Sequence, residues 1–288
     1  VIVSYTNGTR VEPPTNNTLS ISFLVILASF KAFLTGSNVD STKSEIKSSN
    51  LARVNVISMC NGSSSSFLAM NGAENGTVVI SEKQTDAKGR SGKTWASPIG
   101  GIWLSLIVKP NVDYSKLPMI TIGTGVAVAK AIERTGITSA EIKWPNDIYY
   151  KGSKISGTLS ECNIGSKGIT QCIIGIGINI NQQMFTSDAP NPISLAQILG
   201  AESDRKEILD QLIYSMEQYL RKVSEGQFDD IHTLYQQKLY RANGRHRYRD
   251  NNGEFRAEIE NIKPNGHMIL KREDGTLSEY AFKEVTFI

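Results

Sequence analysis

The stretch that most restricts what this chain can fold into is QCIIGIGININ, residues 171–181. It is apolar without a break from Cys172 to Ile178, as a buried strand is, and its glycines mark places where another group comes close to the backbone. A strand of that kind needs neighbours. RVNVIS, GTVVISEKQ, IWLSLIVKP, EIKWPNDIYY and KISGTLSEC supply them as short alternating or apolar runs, the last two placed around the turn KGS. KLPMITIGTGVAVAKAIERTG predicts a long helix with a proline near its start and a glycine at its end. SSSSFLAMNGA reads as a cap followed by a helix, and ISLAQILG, DRKEILDQLIYSMEQYLRKVSEG and FDDIHTLYQQKLYRA as further helices. Strands and helices in this order make an α+β chain.

Both ends depart from that pattern. After residue 242, Asn-Asn-Gly, Pro-Asn-Gly and Asp-Gly-Thr punctuate short alternating runs, which is hairpin chemistry and predicts a small all-β barrel. At the other end, ISFLVILASFKAFL is broken by Lys31 and falls short of the roughly twenty apolar residues a membrane span needs. Only Arg10 precedes it, a thin basic region for a secretory signal. It reads as a short helix docked on the body, or as an extension. The expected organisation is an extension over 1–50 with no role assigned, an α+β domain over 51–241 and a β unit over 242–288.

A formal net charge of +3 is too mild to demand nucleic acid, though it suits an anionic ligand. Cys60, Cys162 and Cys172 are odd in number and form no CxxC, so neither a disulfide framework nor a structural zinc site is expected, and a reducing, cytoplasmic setting is. His232, His246 and His267 lie too far apart in sequence to suggest a metal cluster or a triad.

Three segments carry chemistry. KGRSGKTW, residues 88–95, sets three cations and two glycines in a loop between strands, a composition for phosphate or carboxylate oxygens. It is not a Walker A loop, and by itself such a loop is more often a solvated basic turn. GIGIN places Asn179 in an apolar strand, where its amide suits either an adenine edge or the backbone. In KWPNDIYYKGSK, Asp147 and Lys154 flank a turn and should meet at its mouth, either as a surface ion pair or as groups facing a nucleotide.

Taken together, KWPND, the lysine of KISG, the preceding GR-G-W loop and the following GIGIN resemble the biotin protein ligases, also called biotin–[acetyl-CoA-carboxylase] ligases, over roughly residues 53–288. The resemblance implies a class II synthetase-like mixed sheet with helices on one side, and a small SH3-like β-barrel C-terminal domain. It implies ATP and biotin as substrates with Mg²⁺, and two steps: formation of biotinyl-5′-AMP, then transfer of biotin to a lysine of a biotin carboxyl carrier protein domain of acetyl-CoA carboxylase or a related carboxylase. By the same resemblance Ser63, Ser64, Ser65 and Gln84 contact biotin. Lys88, Gly89 and Arg90 fold over biotin and the adenylate, with Arg90 facing the phosphate. Trp95 shields adenine, Asn179 reads its edge, Lys154 meets the biotin carboxylate and α-phosphate, and Asp147 serves the nucleotide and metal end. Lys154, Arg90 and Asp147 form the implied catalytic set.

The family's loop is richer in arginine, and here Ala87, Lys88 and Lys93 depart from it. Lysine does not reproduce a bidentate guanidinium contact, so a looser hold on the adenylate is expected. Residues 1–50 show no basic recognition helix, so DNA binding is not expected, nor is a membrane partner, while a homodimer is compatible with the pattern. Two alternatives stay open: a lipoate–protein ligase, against which the absence of an RRxSGGG loop counts, and a non-catalytic biotin- or adenylate-binding regulator.

Overall fold

The alternating runs become two antiparallel-rich sheets. The computed structural model describes residues 43–46, 54–59, 72–84, 87, 89, 95–110, 112–165, 168–185 and 191–288. The larger sheet contains β1 (Lys43–Ile46), β2 (Val54–Met59), β3 (Thr77–Ser81), β4 (Ile102–Val108), β5 (Glu141–Lys143), β6 (Asp147–Tyr150), β7 (Ser153–Gly165) and β8 (Gly168–Ile178). Its spatial order is β1-β2-β3-β4-β8-β7-β6-β5. Only β2 and β3 run parallel; the other neighbours are antiparallel. β1 falls within the stretch expected to be an extension, and is the edge strand beside β2. The predicted helix at the SSSS tract and the apolar run near Lys31 lie outside the described residues.

Side-chain alternation decides where the helices go. Ile80, Leu104, Ile174 and Ile176 point to one face and join a core shared with the helices, whereas Val79 and Ile107 form a small cluster on the other. Helix α1 (Leu117–Glu133) is buried nearly all round, as its mixed small and aliphatic sequence dictates. Gly123 lets the side chains of Val223 and Ile231 approach, and Gly125 those of Ile142 and Tyr235. The short α2 (Leu195–Leu199) is closed by a Ser194–Gln197 capping box. In α3 (Arg205–Ser224), the Asp204 side chain accepts from the amides of Lys206 and Glu207. This amphipathic helix and α4 (Phe228–Gln237) cover α1. Among the described residues no helix is long and apolar enough to cross a membrane.

The C-terminal residues form a second sheet of five antiparallel strands: β9 (His246–Asp250), β10 (Gly253–Ile262), β11 (Met268–Arg272), β12 (Leu277–Tyr280) and β13 (Thr286–Phe287), in the order β12-β11-β10-β9-β13. It is fastened to the larger sheet by the Trp144 indole N–H, which donates to Gly266 O at 2.9 Å, and by the ring of Phe282 beside Trp144. His232 and Gln236 of α4 reach Ile262 O and Asn261 of β10.

Two expectations need correction. EIKWPNDIYY is not one strand: Pro145 has no N–H to give a ladder, so the chain turns at 144–146, through a cis Trp144–Pro145 peptide, and returns as β6. Cys162 and Cys172 are joined as a disulfide, against the expectation from the cysteine count of no disulfide framework and a reducing setting. CxxC spacing and an odd count could not reveal this pair, because its proximity comes from hairpin register, which sets Cys162 directly opposite Cys172 across β7 and β8.

Candidate active site

The face of the larger sheet that carries no helix among the described residues has a floor made by two glycines. Gly157 of β7 and Gly177 of β8 are directly paired, and the Trp95 indole lies on them so closely that a Cβ would come within 2.9 Å and 2.6 Å of it, respectively. This explains the second glycine of the GIGIN strand, Gly177: a side chain there would displace the tryptophan. Trp95 also packs edge-on against Trp103, whose indole N–H donates to Pro98 O. The indole Nε1–H of Trp95 is itself buried without an acceptor among the described residues, an arrangement that costs stability and favours a polar guest.

Lys154 stands over that tryptophan, its Nζ 5.1 Å from the ring, and donates to Asp147 Oδ2 at 2.6 Å. The meeting depends on a bulge: Ile148 pairs with Ser156 but Tyr149 with Lys154, leaving Ile155 as an extra residue. The insertion turns Lys154 toward the face that Asp147 and Gly157 occupy. With 17% and 25% of their side chains exposed, Lys154 and Asp147 are screened from water more than an ordinary surface pair.

The turn between Lys143 and Asp147 is held from several sides. Trp144 bonds the second sheet, Tyr235 of α4 donates to Pro145 O at 2.7 Å, and the Asn146 amide donates to Thr158 O at 3.0 Å. Fixing 144–146 fixes the residues at either end. At one end Lys143 donates to the Tyr149 hydroxyl at 3.3 Å and lies over the rings of Tyr149 and Phe287. Burial pulls the Lys143 amine below the usual lysine range, with Asp147 opposing and Arg241 and Lys154 adding to the fall. Burial pushes Tyr149 up to about 12, with the Asp147 charge next in size. Arg241 donates to Arg247 O and Ile288 O, both at 3.1 Å, and lies over the Tyr240 and Phe287 rings. Lys143 thus feels the Asp147 carboxylate together with the cations of Lys154 and Arg241, and this gathering of positive charge suits a polyphosphate.

The basic loop hangs from a narrow neck. Gln84 N–H donates to Ser97 O at 3.1 Å, the Ser97 hydroxyl donates to Gln84 Oε1 at 3.0 Å, and Trp95 N–H donates to Ala87 O at 2.9 Å. Gln84, Trp95, Lys154 and Asp147 are therefore brought together along this face, and the backbone of Gly89 belongs to the same loop. Ser63, Ser64, Ser65, Lys88 and Arg90 lie outside the described residues. Asn179 is nearby but engaged: its Nδ2 donates to Lys154 O and Ile193 O at 3.4 and 3.3 Å, and its Oδ1 accepts from Gln182 at 3.4 Å. Here it fastens the 191–195 segment to the hairpin.

Sequence reasoning missed Lys143 and Arg241. Lys143 was visible as the first residue of KWPND, and its place across the pair from Asp147 was the available signal. Arg241 opens a basic cluster that resembles solvated surface, and only the packing of β13 brings it to Lys143.

The family model of the biotin/lipoate A/B protein ligases matches residues 54–179. The chain is 33% identical over 245 residues to the bifunctional ligase/repressor BirA of Bacillus spizizenii, an overlap of 83% of this chain and 74% of that protein. It is 34% identical over 220 residues to the bifunctional ligase/repressor BirA of Bacillus subtilis, covering 74% of this chain and 67% of that one. In fold it is similar to the biotin protein ligase from Aquifex aeolicus in complex with biotin and ATP, with a TM-score of 0.70 and 25% identity over 81% of this chain and 98% of the other.

Proposed function

The chain belongs to the biotin/lipoate A/B protein ligase family as a biotin protein ligase, and from that premise we propose that it uses ATP to join biotin to one lysine of a biotin carboxyl carrier protein, through biotinyl-5′-AMP. Residues 51–241 form the catalytic unit in this reading, and the C-terminal sheet is an SH3-like module beside it. In the first step a carboxylate oxygen of biotin attacks the α-phosphorus of ATP, the bond to the bridging oxygen breaks, and pyrophosphate leaves. Lys154 holds the two anionic reactants together and meets the charge that grows on the phosphoryl oxygens. Lys143 and Arg241 take the leaving pyrophosphate. Trp95 covers adenine, Gln84 and Ser63, Ser64 and Ser65 take the ureido ring, and Lys88, Gly89 and Arg90 hold the adenylate from the loop. Asn179 turns one of its long, weak backbone contacts toward the adenine edge. In the second step the neutral amine of the carrier lysine attacks the acyl carbon of the mixed anhydride, the amide forms, and AMP departs.

Mg²⁺ fits this site only as a companion of ATP. Among the described residues no three His, Cys, Asp or Glu side chains gather as a cage, so Asp147 would supply one carboxylate and the phosphates the remaining protein-independent ligands. When bound, the ion neutralises phosphate charge.

The observation that carries the reading is the convergence of three distant motifs: the Lys154 amine, beside Asp147, over a Trp95 ring that rests on Gly157 and Gly177. The test is pyrophosphate release from ATP and Mg²⁺ with biotin or lipoate, followed by label transfer to a carrier domain. Biotin-dependent release and transfer are expected. Support by lipoate alone would assign the other branch of the family, and biotin binding without release would make the protein a regulator.

A further inference from the structure

Arg205 is the first residue of α3, where the helix dipole disfavours a cation. Its guanidinium is nonetheless drawn inward, with 10% of the side chain exposed, against Glu82 with 17% exposed. One nitrogen, Nη1, donates to Glu82 Oε1 at 2.9 Å and to Gly101 O at 3.4 Å. Glu82 immediately follows β3 and Gly101 immediately precedes β4. The same cation therefore grips both roots of the segment that carries Gln84, Trp95 and Ser97.

The contact is not explained by stability. A partly buried ion pair contributes little net stability compared with apolar side chains of similar size. Glu82 Oε2, moreover, is buried with no hydrogen-bond partner among the described residues, which opposes folding. A second tie at the same corner fixes where Arg205 starts from. The Asn181 side chain donates to Ser203 O and accepts from Ser203 N–H, while Asn181 N–H donates to Gly100 O. The end of β8, the beginning of α3 and both roots of the loop are thereby locked into one frame. A local rule is broken at a place where the gain is geometric.

We propose that Arg205 is a positioning residue for the ligase reaction: through Glu82 and Gly101 it sets the neck on which Gln84 meets biotin and Trp95 meets adenine. The inference rests on the proposed function for those two contacts. It does not place Arg205 against any substrate.

Arg205→Met keeps the length of the side chain and removes both contacts, while Arg205→Lys keeps a cation able to make one of them. In Arg205→Met the KM for biotin is expected to rise about tenfold, with kcat for pyrophosphate release changed by roughly threefold or less, because misplacement is felt mainly in binding here. Arg205→Lys should recover part of that loss, and adding Glu82→Gln to Arg205→Met should raise KM no further. Amide hydrogen exchange at Gln84 and Trp95, whose N–H groups form the neck, should quicken about tenfold in Arg205→Met whether or not the protein turns over. A purely structural role would lower the melting temperature yet leave KM and those two amides unchanged, and that result overturns the proposal. If the unmodified protein releases no pyrophosphate with biotin, the functional reading fails by itself, and the exchange rates still decide whether the clamp exists.

Discussion

The hairpin around Lys143, Asp147 and Lys154 and the neck formed by Gln84, Ala87, Trp95 and Ser97 meet on one face of the larger sheet, but they are held in different ways. The hairpin is pinned at 144–146 by groups from the second sheet, from α4 and from β7. The loop is tied by paired contacts at its neck, and by one guanidinium at its root. The contrast assigns them separate tasks. A fixed hairpin offers charge already in place, which is where electrostatic stabilisation of a transition state is most effective, because nothing has to reorganise. Between β3 and β4, the described contacts at the neck and root set the positions of Gln84 and Trp95.

The sharpest way to break this division is Lys154→Ala. If the hairpin supplies the fixed charge, adenylate formation should fall by about 10²–10³-fold while circular dichroism stays native. Turnover within a few fold of normal would remove the hairpin from the chemistry. Gly177→Ala comes next. Its Cβ would sit 2.6 Å from Trp95 Nε1, so the indole must shift; a rise of about tenfold in the KM for ATP is expected, with a stability loss of about 1–3 kcal/mol. Unchanged ATP binding would mean that Trp95 does not serve the nucleotide.

Trp144→Phe tests the pinning itself. It removes the donor to Gly266 O and should lower stability by about 1–2 kcal/mol in urea unfolding, without altering hydrogen exchange at Gln84. Equal loosening of both regions would erase the distinction between them. The smallest effect concerns alkaline pH. Tyr149 is raised to about 12 in the folded protein, so above the ordinary tyrosine value near 10 the unfolded chain loses a proton that the native one keeps, and stability falls as pH climbs from about 10 to 12. Lys143 acts in the opposite sense below its unfolded value of about 10.5, because its lowered native affinity for the proton makes folding more favourable as pH rises. In Tyr149→Phe the decline above pH 10 should be shallower when followed by urea midpoint, and an identical decline would place the titration elsewhere.

Much of the fold was legible because burial leaves a period in the sequence. The apolar run at 171–181 became the inner strand β8, the all-round apolar helix became α1 beneath α3 and α4, and the Asn-Gly and Asp-Gly turns delimit the C-terminal strands. The proximity of Asp147 and Lys154 was readable from a turn flanked by opposite charges. What depended on register was not. The bulge at Ile155 that aims Lys154, the pairing of Gly157 with Gly177, and the opposition of Cys162 to Cys172 each hinge on which residue faces which, and a shift by one residue would undo all three. Arg205 was hidden for a related reason: its partners, Glu82 and Gly101, lie more than a hundred residues away in the chain.

The most direct measurement is a crystal structure of the protein with a non-hydrolysable biotinyl-5′-AMP analogue. Convergence on a single site requires the phosphate within hydrogen-bonding distance of Lys154 Nζ and the adenine against the Trp95 indole. An analogue seated away from both, with Lys154 still bonded only to Asp147 and Trp95 still flat on its two glycines, would contradict it.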